Sequence, residues 1–114
     1  MDGMFETGTQ KMLARAADGI GWMTFNNPER HNAVSMEMWS AAERILTAFA
    51  ADDAVRVVVV TGAGGRAFVS GADISKFESE RASEEAVNAY QAQTARVYDL
   101  LSNLAKPTVA MIQG

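Results

Sequence analysis

A glycine-rich stretch follows four consecutive valines, and that junction is where the sequence could do chemistry. Gly62-Ala63-Gly64-Gly65-Arg66-Ala67 reads G-x-G-x-x-A directly after Val57-Val58-Val59-Val60. On paper this is a dinucleotide fingerprint, in which close backbone approach lets a pyrophosphate sit at a helix N-terminus. The mechanism needs the third small residue to open a helix, and an acidic residue about 20 positions further on. Phe68-Val69-Ser70-Gly71 is poor helix material, and the region 20 positions on belongs to a helix that starts at Ser83. Two of the three requirements are unmet. A second chemistry uses the longer segment Gly64 to Phe77, GGRAFVSGADISKF. Gly71 can take backbone conformations closed to other residues, and Asp73 can cap a short helix over Asp73 to Phe77. The N–H of Ala72 is then an unpaired donor at the mouth of that helix. Such a donor can hold an anion, including an oxyanion that exists only during a reaction. An ordinary capped turn with its amides in water has the same sequence, so the residues leave both possibilities open.

The other chemically capable residues are few. The single histidine, His31, lies beside Arg30 in the loop Asn26-Asn27-Pro28-Glu29-Arg30-His31-Asn32. It has no evident acidic partner in that loop, so neither a general-base role nor a metal role is assigned to it. Asp73 is read as a helix cap and not as an acid. Trp22 and Trp39 are read as packing groups, and the seven methionines as core or gap fillers.

These residues need elements to hold them. Asp18-Gly19 is a hairpin signal between strands at 10–17 and 20–25. Ile20, Trp22 and Thr24 fall on one face of the second strand and Met23 and Phe25 on the other. Pro28 and three asparagines make the next stretch a loop. Ser35 is the expected N-cap of a helix with the apolar stripe Met38, Ala42, Ile45, Leu46 and Phe49, ending near Ala51. Arg56 to Thr61 is a strand buried on both faces, because β-branched residues disfavour helix and fit a covered sheet. Ser83, followed by two glutamates, opens a second long helix with the stripe Val87, Tyr90, Thr94, Val97, Leu101 and Leu104, stopped by Lys106-Pro107. Glu78, Glu80, Glu84 and Glu85 suit a solvated stretch before it. Thr108 to Ile112 reads as one more buried strand. The order is β, β, α, β, loop, α, β, an α/β alternation.

Composition narrows the class of function. The chain has 114 residues, 48% of them apolar and 21% charged, with a net charge of −4 and no cysteine. Disulfides, a cysteine nucleophile and thiolate metal sites are excluded. No run approaches the roughly 18 apolar residues of a membrane span, and no basic stripe points to nucleic acid. The N-terminus has neither a signal-peptide nor a transit-peptide pattern, so a cytoplasmic location is the expectation. The first eight residues look frayed.

Three segments resemble one family, the enoyl-CoA hydratase/isomerase or crotonase superfamily. Asn27-Pro28-Glu29-Arg30-His31-Asn32-Ala33-Val34 is similar to the family's N-R-P-x-x-x-N-A-L loop, with Asn at 27 and Val at 34 as departures. Arg66-Ala67-Phe68-Val69-Ser70-Gly71-Ala72-Asp73-Ile74 is similar to K/R-A-F-x-x-G-A-D-I/L. Lys106-Pro107-Thr108-Val109-Ala110-Met111-Ile112-Gln113-Gly114 is similar to K-P-x-I-A-A-x-x-G. The resemblance implies a crotonase-like spiral of ββα turns assembling as homotrimers or hexamers. It implies residues 9–114 as the N-terminal part of such a domain, after a flexible 1–8, with the C-terminal part and the acid/base glutamates beyond Gly114. It further implies an acyl-CoA substrate from fatty acid metabolism and no separate cofactor, coenzyme A being part of the substrate. Hydration of a 2-enoyl-CoA is the expected reaction, with isomerisation as a relative. A non-catalytic CoA-binding or assembly protein of the same fold is the alternative, and a dinucleotide-binding module a more distant one. Ala72 N–H would be one donor of an oxyanion hole. Arg30, His31, Ala33, Arg66, Ala67, Phe68, Ser70, Gly71, Ala72, Asp73, Ile74 and Ser75 would bind the substrate, with no metal ligand among them. The second oxyanion donor would come from a later glycine, so these residues alone would be close to inactive.

Overall fold

The turn at Asp18-Gly19 forms as the sequence predicts. Both residues have positive φ, 54° and 81°, as a two-residue type I′ turn requires. The computed structural model describes residues 3–64 and 83–112. In it this turn joins β2 (Met12–Ala17) to β3 (Ile20–Phe25). The two are antiparallel, with Met12 opposite Phe25 and Ala17 opposite Ile20. A further strand, β1 (Gly3–Phe5), pairs antiparallel with the other edge of β2. Residues read as frayed from sequence therefore carry a strand. Its approach is tied down from outside the local sequence, because the Thr7 hydroxyl lies 2.7 Å from Met12 O and the Arg44 guanidinium donates to Thr7 O.

Helix α1 (Met36–Ala51) follows, then β4 (Val57–Gly62), α2 (Glu84–Ser102) and β5 (Thr108–Met111). The sheet order is β1-β2-β3-β4-β5, antiparallel across the first three strands and parallel from β3 to β5. Two parallel neighbours need a crossover, and α1 is the crossover from β3 to β4. The predicted helical stripe is the buried one: Met38, Ala42, Ile45, Leu46 and Phe49 are all core, joined by Ala41. They pack on Met12, Ala14, Met23, Phe25, Val58 and Val60 from the sheet. Gly21 lets the layers meet. A Cβ there would lie 2.8 Å from Cδ2 of Phe49, so only glycine admits the ring.

The predicted stripe of α2 is right in phase but omits Gln93, which is buried. Gln93 is tolerated because Glu43 and Arg96 satisfy its amide. The helix ends at Ser102, capped through the backbone at Asn103, one turn before Lys106-Pro107. Lys106 has a different task. Its ammonium donates to Phe49 O at 2.6 Å and Asp52 O at 2.5 Å. These are C-terminal carbonyls of α1 that the helix itself leaves unpaired, at its negative dipole end.

One other expectation is corrected and one is borne out in part. Thr108 to Met111 does form a strand, but it is exposed and not buried, with Val109 at 50% and Ile112 just beyond it at 65%. Among the described residues it is the outermost strand, paired to β4 alone, and no helix covers it. Ser35 is the N-cap of α1 as expected, although its side chain makes no capping bond. Its carbonyl accepts the first bonds of the helix, from Met38 and Trp39, while Ser35 Oγ is buried without a partner. Ser83, by contrast, caps α2 through Oγ, which accepts from Ala86 N at 3.1 Å.

One ion pair spans the helices. Glu43 accepts from the Gln93 amide and from Arg96 Nε at 3.1 Å. The Gln93 bond first, and the Arg96 guanidinium second, hold the Glu43 carboxyl below its usual value. A depressed carboxyl contributes stability above its unfolded pKa and loses it as pH falls through the folded pKa. Both side chains are partly exposed, at 54% and 35%, so screening keeps the effect below about 1 kcal/mol. Glu43→Gln is therefore expected to flatten the acid side of a stability-versus-pH curve below roughly pH 4.3. Denaturant melts of both proteins at pH 3 and pH 7 check this, and an unchanged acid slope in the variant contradicts it.

Candidate functional site

Three strands run parallel, so their carboxyl ends share one rim. Phe25 ends β3 and pairs with Gly62 at the end of β4, while Thr61 pairs with Met111 at the end of β5. Ligands of parallel sheets bind outside the carboxyl ends of the strands. The two loops that the sequence marks for chemistry both leave from this rim, one after Phe25 and one after Gly62.

The first loop is built from its own backbone. Pro28 opens a single turn of 3₁₀ helix, Pro28–Arg30, and His31 and Asn32 follow with φ of 54° and 59°. Left-handed conformations are uncommon outside glycine, and Asn and His are among the residues that tolerate them best. The amides are consumed internally. Arg30 N donates to Asn27 O at 3.0 Å, His31 N to Pro28 O at 3.1 Å, Asn32 N to Asn27 O at 2.8 Å and Ala33 N to Arg30 O at 3.0 Å. What this loop presents outward is therefore side chains. Glu29, Arg30 and His31 are exposed on it, while Ala33 is buried and its carbonyl accepts from Asn27 Nδ2.

The start of the second loop is held by the first. Ala63 N donates to Phe25 O at 2.8 Å, and Ala63 O accepts from Asn32 Nδ2 at 3.0 Å. Asn32 Oδ1 in turn accepts from Asn27 N at 2.8 Å. Gly64 has φ of 87°, and a Cβ there would lie 3.0 Å from Cβ of Pro28. The glycine loop thus leaves β4 in a direction set by Asn32 and Pro28. Sequence reasoning treated both asparagines only as loop formers. The available signal was their pairing five residues apart around a proline.

Of the predicted substrate-binding residues, Arg30, His31 and Ala33 are brought to this rim. Arg66, Ala67, Phe68, Ser70, Gly71, Ala72, Asp73, Ile74 and Ser75 lie outside the described residues, as does the short helix expected at Asp73 to Phe77. A groove of about 570 Å³ between α1 and α2 is lined by Glu43, Arg96, Asp99 and Lys106, with Arg96 bonded to Glu43 and Lys106 to the end of α1. Among the described residues no group of three His, Cys, Asp or Glu could hold a metal, and no helix is long and apolar enough to cross a membrane.

Comparison with known proteins bears on the same segments. Residues 20–114 match the family model described as enoyl-CoA hydratase/isomerase. The match includes the whole glycine loop. The chain is 30% identical over 98 residues to carboxymethylproline synthase of Pectobacterium carotovorum subsp. carotovorum, covering 86% of this chain and 39% of the relative. It is 26% identical to crotonyl-CoA hydratase of Syntrophomonas wolfei subsp. wolfei, covering 92% and 40%. The crystal structure of an enoyl-CoA hydratase/carnithine racemase from Magnetospirillum magneticum superposes with a TM-score of 0.85 at 31% identity, covering 93% of this chain and 40% of that one. The chain therefore has the α/β crotonase-like architecture and spans about two fifths of the length of the relatives it matches.

Proposed function

The chain belongs to the enoyl-CoA hydratase/isomerase family, and from that premise we propose that it supplies the CoA-binding rim and the first oxyanion donor of an enzyme acting on an acyl-CoA thioester. Hydration of a 2-enoyl-CoA is the leading reaction. The carrying observation is the joint rim: Arg30 and His31 stand on a loop bonded through Asn32 to the start of the glycine loop. A cation beside an imidazole suits the phosphates and adenine of coenzyme A. A loop that begins at a parallel-strand carboxyl end suits a reacting carbonyl.

The chemistry explains why a backbone donor would be used. A thioester oxygen gains negative charge when a nucleophile adds at the β-carbon or a proton leaves the α-carbon. A fixed N–H aimed at that oxygen binds the charged state more strongly than the neutral carbonyl, and so lowers the barrier. In this reading Ala72 N–H is that donor, and Ser70 to Ser75 line the acyl arm. Asp73 is proposed as a helix cap and not as an acid. No separate cofactor is proposed. The acid and base, and the second donor, are assigned to other residues of the whole enzyme, which we place in the cytoplasm as a trimer or hexamer. Residues 1–114 alone would be close to inactive.

Calorimetric titration of the whole enzyme with crotonyl-CoA and, separately, with NAD tests this function. Binding of the thioester with no heat from NAD is the expected result. Binding of NAD without the thioester overturns it. Thioester binding with no turnover of any acyl-CoA would instead favour a non-catalytic binder of the same fold.

A further inference from the structure

We propose that Asn32 is a positioning residue for the reaction, setting where the glycine loop begins relative to the loop that carries Arg30 and His31. The inference rests on the acyl-CoA function proposed above and goes beyond it by assigning a role to a side chain outside the reacting groups.

Four observations meet at this residue. Asn32 is fully buried. Its carboxamide is used at both ends, Oδ1 accepting from Asn27 N at 2.8 Å and Nδ2 donating to Ala63 O at 3.0 Å across 31 residues of sequence. The orientation of the amide is unambiguous, since a backbone N–H demands the oxygen and a carbonyl demands the nitrogen. Its backbone has φ of 59°, which asparagine tolerates better than most residues. Ala63 is gripped on its other side by Phe25 O, and Gly64 packs against Pro28 with no room for a side chain. The base of the glycine loop is therefore bonded to the first loop and to β3 at once. A shift at Asn32 moves the two loops apart, and with them the two ends of a bound acyl-CoA. Misplacement of a reacting group by about 1 Å can cost on the order of 100-fold in rate.

The substitutions separate this role from mere loop formation. Asn32→Asp keeps the acceptor for Asn27 N and a residue that tolerates the left-handed conformation, but sets a carboxylate against Ala63 O. Asn32→Gly keeps the backbone conformation and loses both bonds. If the bond to Ala63 positions the reaction, both variants of the whole enzyme lose kcat by 10- to 100-fold. Affinity for free coenzyme A, measured below the melting temperature, then stays within threefold of wild type. Asn32→Asp with kcat within twofold of wild type overturns the proposal. Gly64→Ala perturbs the same take-off from the Pro28 side with Asn32 intact, so it decides the matter if the Asn32 variants do not fold. It should show the same kcat-selective loss, and an unchanged kcat overturns the role. A wild-type enzyme inactive toward every acyl-CoA removes the underlying function and this inference together. An active wild type with unaffected variants removes this inference alone.

Discussion

Replacing Ala72 by proline in the whole enzyme is expected to lower kcat by 100- to 1000-fold while leaving the fold intact. Proline deletes one N–H and adds a ring, and the residue before it, Gly71, is the type least restricted by a following proline. Loss of a single oxyanion donor typically costs about 2.7–4 kcal/mol in the transition state. The ground-state thioester carbonyl carries little charge and loses little, so the effect falls on kcat and less on affinity. Ala72→Gly keeps the amide and removes only the methyl group, and should stay within a few-fold of wild type. Steady-state kinetics on the three proteins, with circular dichroism as the folding control, read the difference. A proline variant that keeps its full rate on the true substrate refutes the donor role.

Gly21→Val is expected to lower the unfolding free energy by about 3 kcal/mol, the upper end of the usual cost of overpacking. At most strand positions the sign would be the opposite, since glycine inside a strand is unfavourable by roughly 0.5–1 kcal/mol and valine is a good strand former. Here the new Cβ would stand 2.8 Å from Cδ2 and 3.0 Å from Cγ of Phe49. The ring cannot retreat, because Phe49 is 3% exposed and Ile45 and Leu46 on the same helix are fully buried. Shortening the ring should relieve the clash. In a Phe49→Leu background the same valine should cost less than half as much, a coupling that urea unfolding of the four proteins would measure. Equal costs in both backgrounds would mean that the destabilisation does not come from a clash with Phe49.

The long elements were legible because their signals are local. The stripe Met38, Ala42, Ile45, Leu46 and Phe49 buries itself at a helical period, and β-branched Val57 to Val60 disfavours a helix. Asp18-Gly19 specifies its own turn, and Ser83 its own cap. Errors arose where a partner distant in sequence decided the outcome. Gly3 to Phe5 is a strand because β2 offers an edge and Arg44 holds Thr7. Val109 and Ile112 are apolar enough to look buried, yet burial depends on what lies over them and not on their own hydropathy. Ser35 is the N-cap as its residue type indicates, yet its hydroxyl is enclosed without a partner and makes no capping bond.

The candidate site divides along the same line. Residue order alone identified the three family segments, the glycine loop and the exposed pair Arg30 and His31, because motif spacing and turn chemistry are properties of neighbours along the chain. Which loops stand together was settled only by the parallel pairing of β3 with β4, which carries Phe25 and Gly62 to one rim, and by the Asn32 amide that joins Ala63 to it. A hydrogen bond across 31 residues exists only after the strands have paired, so no local pattern could have announced it.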